Sequence, residues 1–250
     1  MTDNPQKVLL PQSDWDASYS ASELWTAPPG DPIRIWIEKF IPKSQGTCLE
    51  LGCFPGRFLA VFGELGYELH GIDLTPRVET DLKYWLKSKG YLIGEIVRDD
   101  VWTYPFARKF DVVCSFGLIE HFVEWEKLIA LQSELVADGG WLVLSTPNFR
   151  GWIQKLFHRW FDKENLEKHN LDAMRPERWK QIVQPLGFEM VNAGYLGPFD
   201  MWCGPGKRNA FQKFVVKVVR RLIPFLQWVP CRSAAYAPYC GLIARKVRRV

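Results

Sequence analysis

The sequence predicts an α/β protein organised around an open sheet, on three observations. Residues 47–76, TCLELGCFPGRFLAVFGELGYELHGIDLTP, read as strand, tight turn, helix, strand and terminal acid. Further short apolar runs at Tyr91–Val97, Phe110–Ser115 and Trp141–Ser145 alternate with stretches whose apolar residues recur at helical spacing. Glycines and acids (Gly52, Asp73, Asp99, Asp100, Gly117) fall at the carboxyl ends of these runs. In an open α/β sheet that is the edge where ligands bind.

Each element has a local reason. Residues 1–30 are polar and proline-containing, with Trp15, Tyr19 and Trp25 interleaved. They form either a loosely docked arm or a cap whose Trp15 or Tyr19 touches a bound ligand. Asp31-Pro32 starts a helix, with Asp as cap and Pro at the first position, and Ile33, Trp36, Ile37 and Phe40 make its apolar stripe. Thr47–Leu51 is the first strand, and Gly52-Cys53-Phe54-Pro55-Gly56 is too rich in Gly and Pro to extend it. Arg57–Leu65 is helical. Leu69–Ile72 is the second strand, with Asp73 at its end. Thr75-Pro76 opens a helix to about Lys89 that Gly90 closes. Tyr91–Val97 and Phe110–Ser115 are the third and fourth strands. Trp125–Val136 is an amphipathic helix closed by Asp138-Gly139-Gly140, and Trp141–Ser145 is the fifth strand. Trp152 to Phe161 is an aromatic helix, and Met174-Arg175-Pro176 starts another that runs to Gln184. Gly187–Tyr195 is the sixth strand, Gly197–Lys207 a Gly/Pro-rich loop, Phe211–Trp228 a basic amphipathic helix and Ala237–Lys246 the seventh strand.

Composition sets limits. With 47% apolar and 14% aromatic residues in 250, the chain builds a sizeable core. The six Cys show no C-x-x-C and no paired spacing, so no zinc site is expected, and Cys48, Cys53 and Cys114 read as small buried hydrophobes in a reducing compartment. No signal peptide and no apolar run of about 18 residues is present, which predicts a cytoplasmic protein. The net charge of +4 hides an asymmetry: from residue 201 onward there are 11 Lys or Arg and no Asp or Glu, whereas the first 200 residues carry 21 basic and 28 acidic side chains. Such a tail suits an anionic partner, including the surface of the inner membrane.

The crevice chemistry is nucleoside recognition. Gly52 and Gly56 allow close backbone approach, and Asp73, 21 residues after Gly52, is placed to accept from two ribose hydroxyls. The turn lacks the three glycines of a dinucleotide loop, and Glu50 beside it repels a pyrophosphate. A cationic ligand such as a sulfonium amino acid fits better. ELGCFPG followed by GID resembles motifs I and II of the class I S-adenosylmethionine-dependent methyltransferases, with Phe54 where a middle Gly is common. That resemblance, over about Thr47–Asn148, implies a seven-strand Rossmann-like sheet, mostly parallel with the last strand antiparallel, helices on both faces and a helical acceptor lid. It divides the chain into an arm (1–30), a cofactor core (31–148), a lid insertion (149–186) and a sheet-completing segment (187–250). It assigns S-adenosylmethionine as cofactor, held by Glu50, Gly52, Cys53 and Gly56, by Asp73 and Leu74 at the ribose, and by Asp100 and Val101 at the adenine, Asp99 being the alternative acid. FGLIEHF resembles the family's post-strand loop, which puts Phe116 and Gly117 against the cofactor and makes His121 a candidate general base. His169-Asn170 in the insertion is the other candidate.

The acceptor side draws on Trp15, Tyr19, Trp152 and Asn148. The ELGCFPGRF, GID and HN elements are most similar to sugar and polysaccharide-pathway methyltransferases. The expected reaction is therefore a metal-free, His-assisted O-methylation of a small-molecule or glycan acceptor, which the basic tail would suit if it is linked to a lipid phosphate. A quinone or other flat aromatic acceptor is the alternative. RNA methylation is disfavoured because the Asn/Asp-Pro-Pro-Tyr/Phe tetrad is absent: Ser145-Thr146-Pro147-Asn148 stands there instead. A cofactor-binding module without turnover is the non-enzymatic reading.

Overall fold

A computed structural model describes residues 8–20, 22–204, 208–228 and 233–248. Residues 1–7 of the expected arm, 205–207 of the loop and Cys231 lie outside the described residues. Seven strands form one sheet in the order β3-β2-β1-β4-β5-β7-β6. They are β1 Thr47–Leu51, β2 Glu68–Asp73, β3 Ile93–Arg98, β4 Phe110–Phe116, β5 Val136–Pro147, β6 Phe188–Leu196 and β7 Tyr239–Lys246. The pairs joining β3 through β5 are parallel. β7 is antiparallel to both neighbours and lies between β5 and β6.

Both faces of the sheet are covered because its strands are apolar on both sides. Cys48, Leu69, Val112, Cys114, Val143 and Ile243 point to one core. There they meet α2 (Pro32–Phe40), α3 (Leu59–Glu64) and α4 (Lys83–Ser88). Leu49, Leu51, Ile72, Val113, Leu142 and Leu144 point to the other, against α5 (Trp125–Leu135) and α8 (Pro176–Val183). The alternation along β1, and along β4 from Val112 onward, is the period-2 signature of a strand buried on both faces. Asp31 caps α2 by accepting from Ile33 N at 2.8 Å and Arg34 N at 3.2 Å, a device worth about 1 kcal/mol.

Several boundaries differ from the sequence expectation. α3 begins at Leu59 and not Arg57, because Gly56 takes φ +83° and the chain is still turning there. β5 begins at Val136 and not Trp141. Asp138-Gly139-Gly140 does not simply close α5; it bulges within the strand, and pairing jumps from Phe110↔Val136 to Val112↔Trp141. Gly139 absorbs the kink at φ +81°. The helix after Asp73 opens with a π turn, Val78–Leu82, before α4.

The arm folds over the carboxyl edge of the sheet. Its helix α1, Gln12–Tyr19, was not predicted. Val8 bridges to Phe122, and Leu9 N donates to the His121 carbonyl at 2.8 Å. After β5 come α6 (Trp152–Phe161) and α7 (Lys163–Glu167). The long helix α9, Ala210–Leu226, packs on α6 through Val216 and Phe157, with Met201 between them. Asp162 ties this region together, accepting from Asn165 Nδ2, Gly204 N and Arg208 Nη2, each at 3.0 Å. No helix among the described residues is long and apolar enough to cross a membrane.

Candidate active site

The turn after β1 is shaped by what it must avoid. Gly52 sits at φ +69°, and a Cβ there would lie 2.7 Å from Leu118 Cδ1. Its N–H and that of Cys53 both donate to the Ile72 carbonyl, at 2.9 and 3.2 Å, which locks the turn onto the end of β2. Phe54 N then donates to Asp73 Oδ2 at 3.1 Å, and Thr75 N to Oδ1 at 3.0 Å. Each carboxylate oxygen thus holds one backbone donor and keeps a lone pair for another. Burial pushes Asp73 up to about 6, against the pull of the Thr75, Phe54 and Leu74 amides, and Asp16 of α1 adds to the rise.

Two adjoining cavities lie along this edge. One, of about 650 Å³, is lined by Asp73, Leu74, Asp99, Asp100, Val101 and Leu118. Asp100 Oδ1 accepts from Trp102 N at 2.9 Å, and Asp99 Oδ1 accepts from Asp100 N at 2.7 Å. The other, of about 600 Å³, is lined by Glu50, Cys53, Gly56, Glu120, His169 and Tyr239. Trp15, Tyr19, Gly52, Phe54, Phe116, Gly117 and His121 border both. α1 roofs the junction, with the Trp15 ring edge-on to His121 at 4.6 Å and Tyr19 against Phe54 at 5.0 Å. The arm is thus docked over the junction of the two cavities.

Glu50 is buried, and its Oε2 has no hydrogen-bond partner. Burial drives its carboxyl well above the usual range, with Arg57 opposing and Asp73 reinforcing. An orphaned carboxylate oxygen beside a glycine turn is the acceptor a cationic amino-acid group requires. S-adenosylmethionine carries such a group, together with a ribose diol for Asp73, so these residues fit it.

The second cavity also gathers three side chains from two segments distant in sequence. Glu120, His121 and His169 each bring one ligand atom to within 4.8 Å of the others. The short 3₁₀ turn Ile119–His121 after β4 supplies two of them, and the loop after α7 supplies the third. The closure is backbone: Asn170 N donates to the Glu120 carbonyl at 2.7 Å. His121 Nδ1 bonds the Lys168 carbonyl at 3.1 Å, and His169 Nδ1 the Asn165 carbonyl at 2.6 Å. A carbonyl only accepts, so each ring is N–H at Nδ1 and bare at Nε2. Burial, then the neighbouring His169, lowers His121 to about 3. His169 falls to about 4 through burial, with His158 adding to the drop and the Asn165 carbonyl resisting it. Both rings are neutral at pH 7. Each leaves Nε2 unprotonated. Glu120 is fully buried, and both its oxygens lack partners; burial raises it to about 8.

Two predicted acceptor residues lie elsewhere. Trp152 stands on the outer face of α6, 68% exposed, and borders neither cavity. α6 turns Phe157 and His158 inward, so Trp152 faces solvent. Asn148 is buried as a structural pin: its Nδ2 donates to the Ala234 and Ala237 carbonyls at 2.9 and 3.0 Å, and its Oδ1 accepts from Gly151 N at 3.2 Å. Sequence reasoning missed Glu120 as a functional candidate. The available signal was a single acid inside the apolar run Phe116–Phe122.

Residues 32–193 match the family described as Methyltransferase domain. Among curated proteins, the chain is 27% identical over 120 residues to the ubiquinone biosynthesis O-methyltransferase of Thiobacillus denitrificans, covering 47% of this chain and 52% of that protein. It is 31% identical over 123 residues to the one from Leptothrix cholodnii, with the same coverage. The chain thus spans about half the length of these curated relatives. Among solved structures, the MccD protein aligns at a TM-score of 0.60 with 20% identity, over 88% of this chain and 99% of that one. An S-adenosylmethionine-dependent methyltransferase from Archaeoglobus fulgidus aligns at 0.55 with 20% identity, over 94% and 99%. These structural likenesses speak to the fold, which is the seven-strand arrangement the sequence predicts. The match to residues 32–193 covers more than half of the chain, and on it the chain belongs to the methyltransferase domain family.

Proposed function

We propose that this enzyme transfers the methyl group of S-adenosylmethionine to a hydroxyl of a small aromatic, quinol-type acceptor. The carrying observation is the pair of adjoining cavities with a common wall. One holds the diol- and adenine-reading acids. The other opens from the glycine turn toward His121 and His169. The curated relatives' names favour a small-molecule acceptor over the sugar or polysaccharide intermediate that the motifs first implied. The acceptor cavity agrees: Trp15, Trp202, Phe116 and Tyr239 give it flat apolar walls, which suit an aromatic ring.

Bound S-adenosylmethionine supplies an activated methyl group on a cationic sulfur. The chain supplies position. Asp73 accepts from the ribose hydroxyls, Asp100 reads the adenine edge and Glu50 neutralises the amino-acid cation. Gly52 and Gly117, at φ +69° and +72°, let backbone pass close by. α1 excludes water from the junction. Alignment of this kind contributes on the order of 7–11 kcal/mol to such a transfer. The acceptor hydroxyl is placed beside His121 and His169.

The test is a turnover assay of the full chain with S-adenosylmethionine against catechols, hydroquinones, sugars and RNA, scored by a methyl mass shift. Turnover confined to phenolic hydroxyls is the expected result. Methylation of sugars alone, or of RNA, refutes the aromatic reading.

A second surface supports a peripheral location for the enzyme at an anionic membrane. α9 buries only Val216 and leaves Phe211, Phe214 and Phe225 exposed beside Lys213, Lys217, Arg220 and Arg221. Exposed aromatics flanked by cations are the pattern of an interfacial helix.

A further inference from the structure

The acceptor cavity contains an arrangement that methyl alignment leaves unexplained. Glu120 is fully buried, and neither carboxylate oxygen has a hydrogen-bond partner from another residue. A buried acid of this kind costs stability unless something pairs it. The imidazole facing it is not a donor. His121 presents Nε2 toward it, 3.9 Å from Glu120 Oε1, and that nitrogen is bare because Nδ1 carries the proton to the Lys168 carbonyl. His169 is held in the same tautomer by the Asn165 carbonyl, with its ring centroid 4.5 Å from that of His121. The cluster therefore sets two bare imidazole nitrogens and one buried carboxyl group close together on the wall of an accessible cavity.

We propose that Glu120, His121 and His169 bind one divalent transition-metal ion, and that the open coordination positions of this ion receive the acceptor hydroxyl. Two imidazoles and one carboxylate are a ligand set for Mn²⁺, Fe²⁺, Co²⁺ or Zn²⁺ and a poor one for Mg²⁺ or Ca²⁺, which prefer oxygen. Both imidazoles have the support that metal ligands carry, an Nδ1–H held by a carbonyl that fixes the tautomer and aims the ring. The three ligand atoms lie within 4.8 Å of one another, with Glu120 Oε1 and His121 Nε2 at 3.9 Å; donors at about 2.0–2.2 Å from an ion lie roughly 3–3.6 Å apart, so side-chain rotation closes the set by about 1 Å on binding. Three protein ligands leave coordination open, as in catalytic sites rather than structural ones. The chemistry is hydroxyl activation. The acceptor oxygen, bound to the ion, loses its proton to solvent water. Its lone pair then forms the bond to the methyl carbon while the carbon–sulfur pair returns to sulfur as a neutral thioether. This acceptor role rests on the O-methylation reading above; the binding of the ion does not.

The test uses the full chain, stripped with a chelator and titrated with Co²⁺, followed by visible absorption and calorimetry, with no acceptor present. The expected result is saturable binding of one Co²⁺ per chain, with visible bands that Zn²⁺ displaces. Glu120→Gln and His169→Ala should each weaken Co²⁺ by at least about 10-fold. S-adenosylhomocysteine affinity, measured on the same samples, reports folding of the cofactor site and should stay within about 2-fold. Should His169→Ala lose that affinity, the near-isosteric Glu120→Gln decides. No saturable Co²⁺ binding by the parent overturns the proposal, and so does binding that a folded Glu120→Gln leaves unchanged. Such a failure leaves methyl transfer standing, whereas a panel without phenolic turnover leaves the Co²⁺ result standing.

Discussion

Replacing Asp73 tests the cofactor assignment at its most exposed point. Its two oxygens accept from Phe54 N at 3.1 Å and Thr75 N at 3.0 Å, and each retains one free lone pair. Two ribose hydroxyls would occupy those positions as hydrogen bonds to a charged acceptor, each worth about 1.5–3 kcal/mol. Loss of both in Asp73→Ala removes about 3–6 kcal/mol in principle. Water refilling the gap recovers part of this, so the lower end, about 100-fold in Kd, is the expected outcome. Asp73→Asn retains one acceptor oxygen and loses the charge, and should fall between, at about 10-fold. The assay is calorimetric titration with S-adenosylhomocysteine, with thermal melting alongside because the alanine variant also strips Phe54 N and Thr75 N of their acceptor. A folded Asp73→Ala that binds within about 3-fold of the parent refutes the ribose reading, since no charge-assisted pair is worth so little.

Acid should weaken the same ligand. Asp73 titrates near 6 in the cofactor-free protein, and only its ionised form accepts both hydroxyls, so S-adenosylhomocysteine affinity should fall about 10-fold per pH unit below 6. The stability sign is opposite. The folded pKa exceeds the ordinary 3.8, so the folded state holds this proton more tightly. The group's unfavourable contribution at pH 7 should therefore fade as pH drops from about 6 to 3.8, which melting of Asp73→Asn against the parent isolates. Glu50→Gln should weaken S-adenosylmethionine by about 10-fold, while 5′-methylthioadenosine, which lacks the amino-acid group, should lose little; equal losses would remove the ammonium role. Phe214→Ser with Phe225→Ser should abolish co-sedimentation with vesicles rich in anionic lipid at low salt, and parent protein that stays in the supernatant would end the membrane reading.

Much of this architecture is legible in sequence because it is written locally. β1, β4 and β7 are mostly apolar runs, and their limits lie within two residues of those the sequence predicts. The crevice residues Glu50, Gly52, Asp73, Asp100 and Gly117 border the cavities because strand-end position alone decides where they face. What escaped depends on distant parts of the chain. β5 extends back to Val136 only because Phe110 pairs with it across the bulge at Gly139. α1 has no apolar stripe of its own and takes its place from contacts with Phe54 and His121. Glu120 and His169 are 49 positions apart, and their segments are joined by hydrogen bonds from Asn170 N to the Glu120 carbonyl and from His121 Nδ1 to the Lys168 carbonyl. Trp152 misled for the opposite reason. α6 is aromatic on two sides, and helical spacing alone does not say which side is turned inward.

The helix over the junction ties the fate of both reactants together. Trp15 and Tyr19 wall both chambers. Departure of the spent nucleoside and of the methylated product therefore passes the same short segment, anchored at Leu9 to the His121 carbonyl. A motion that lifted that segment would uncover both chambers at once. The slow event of the catalytic cycle would then be a hinge motion near Leu9, sensed equally by two chemically unrelated molecules.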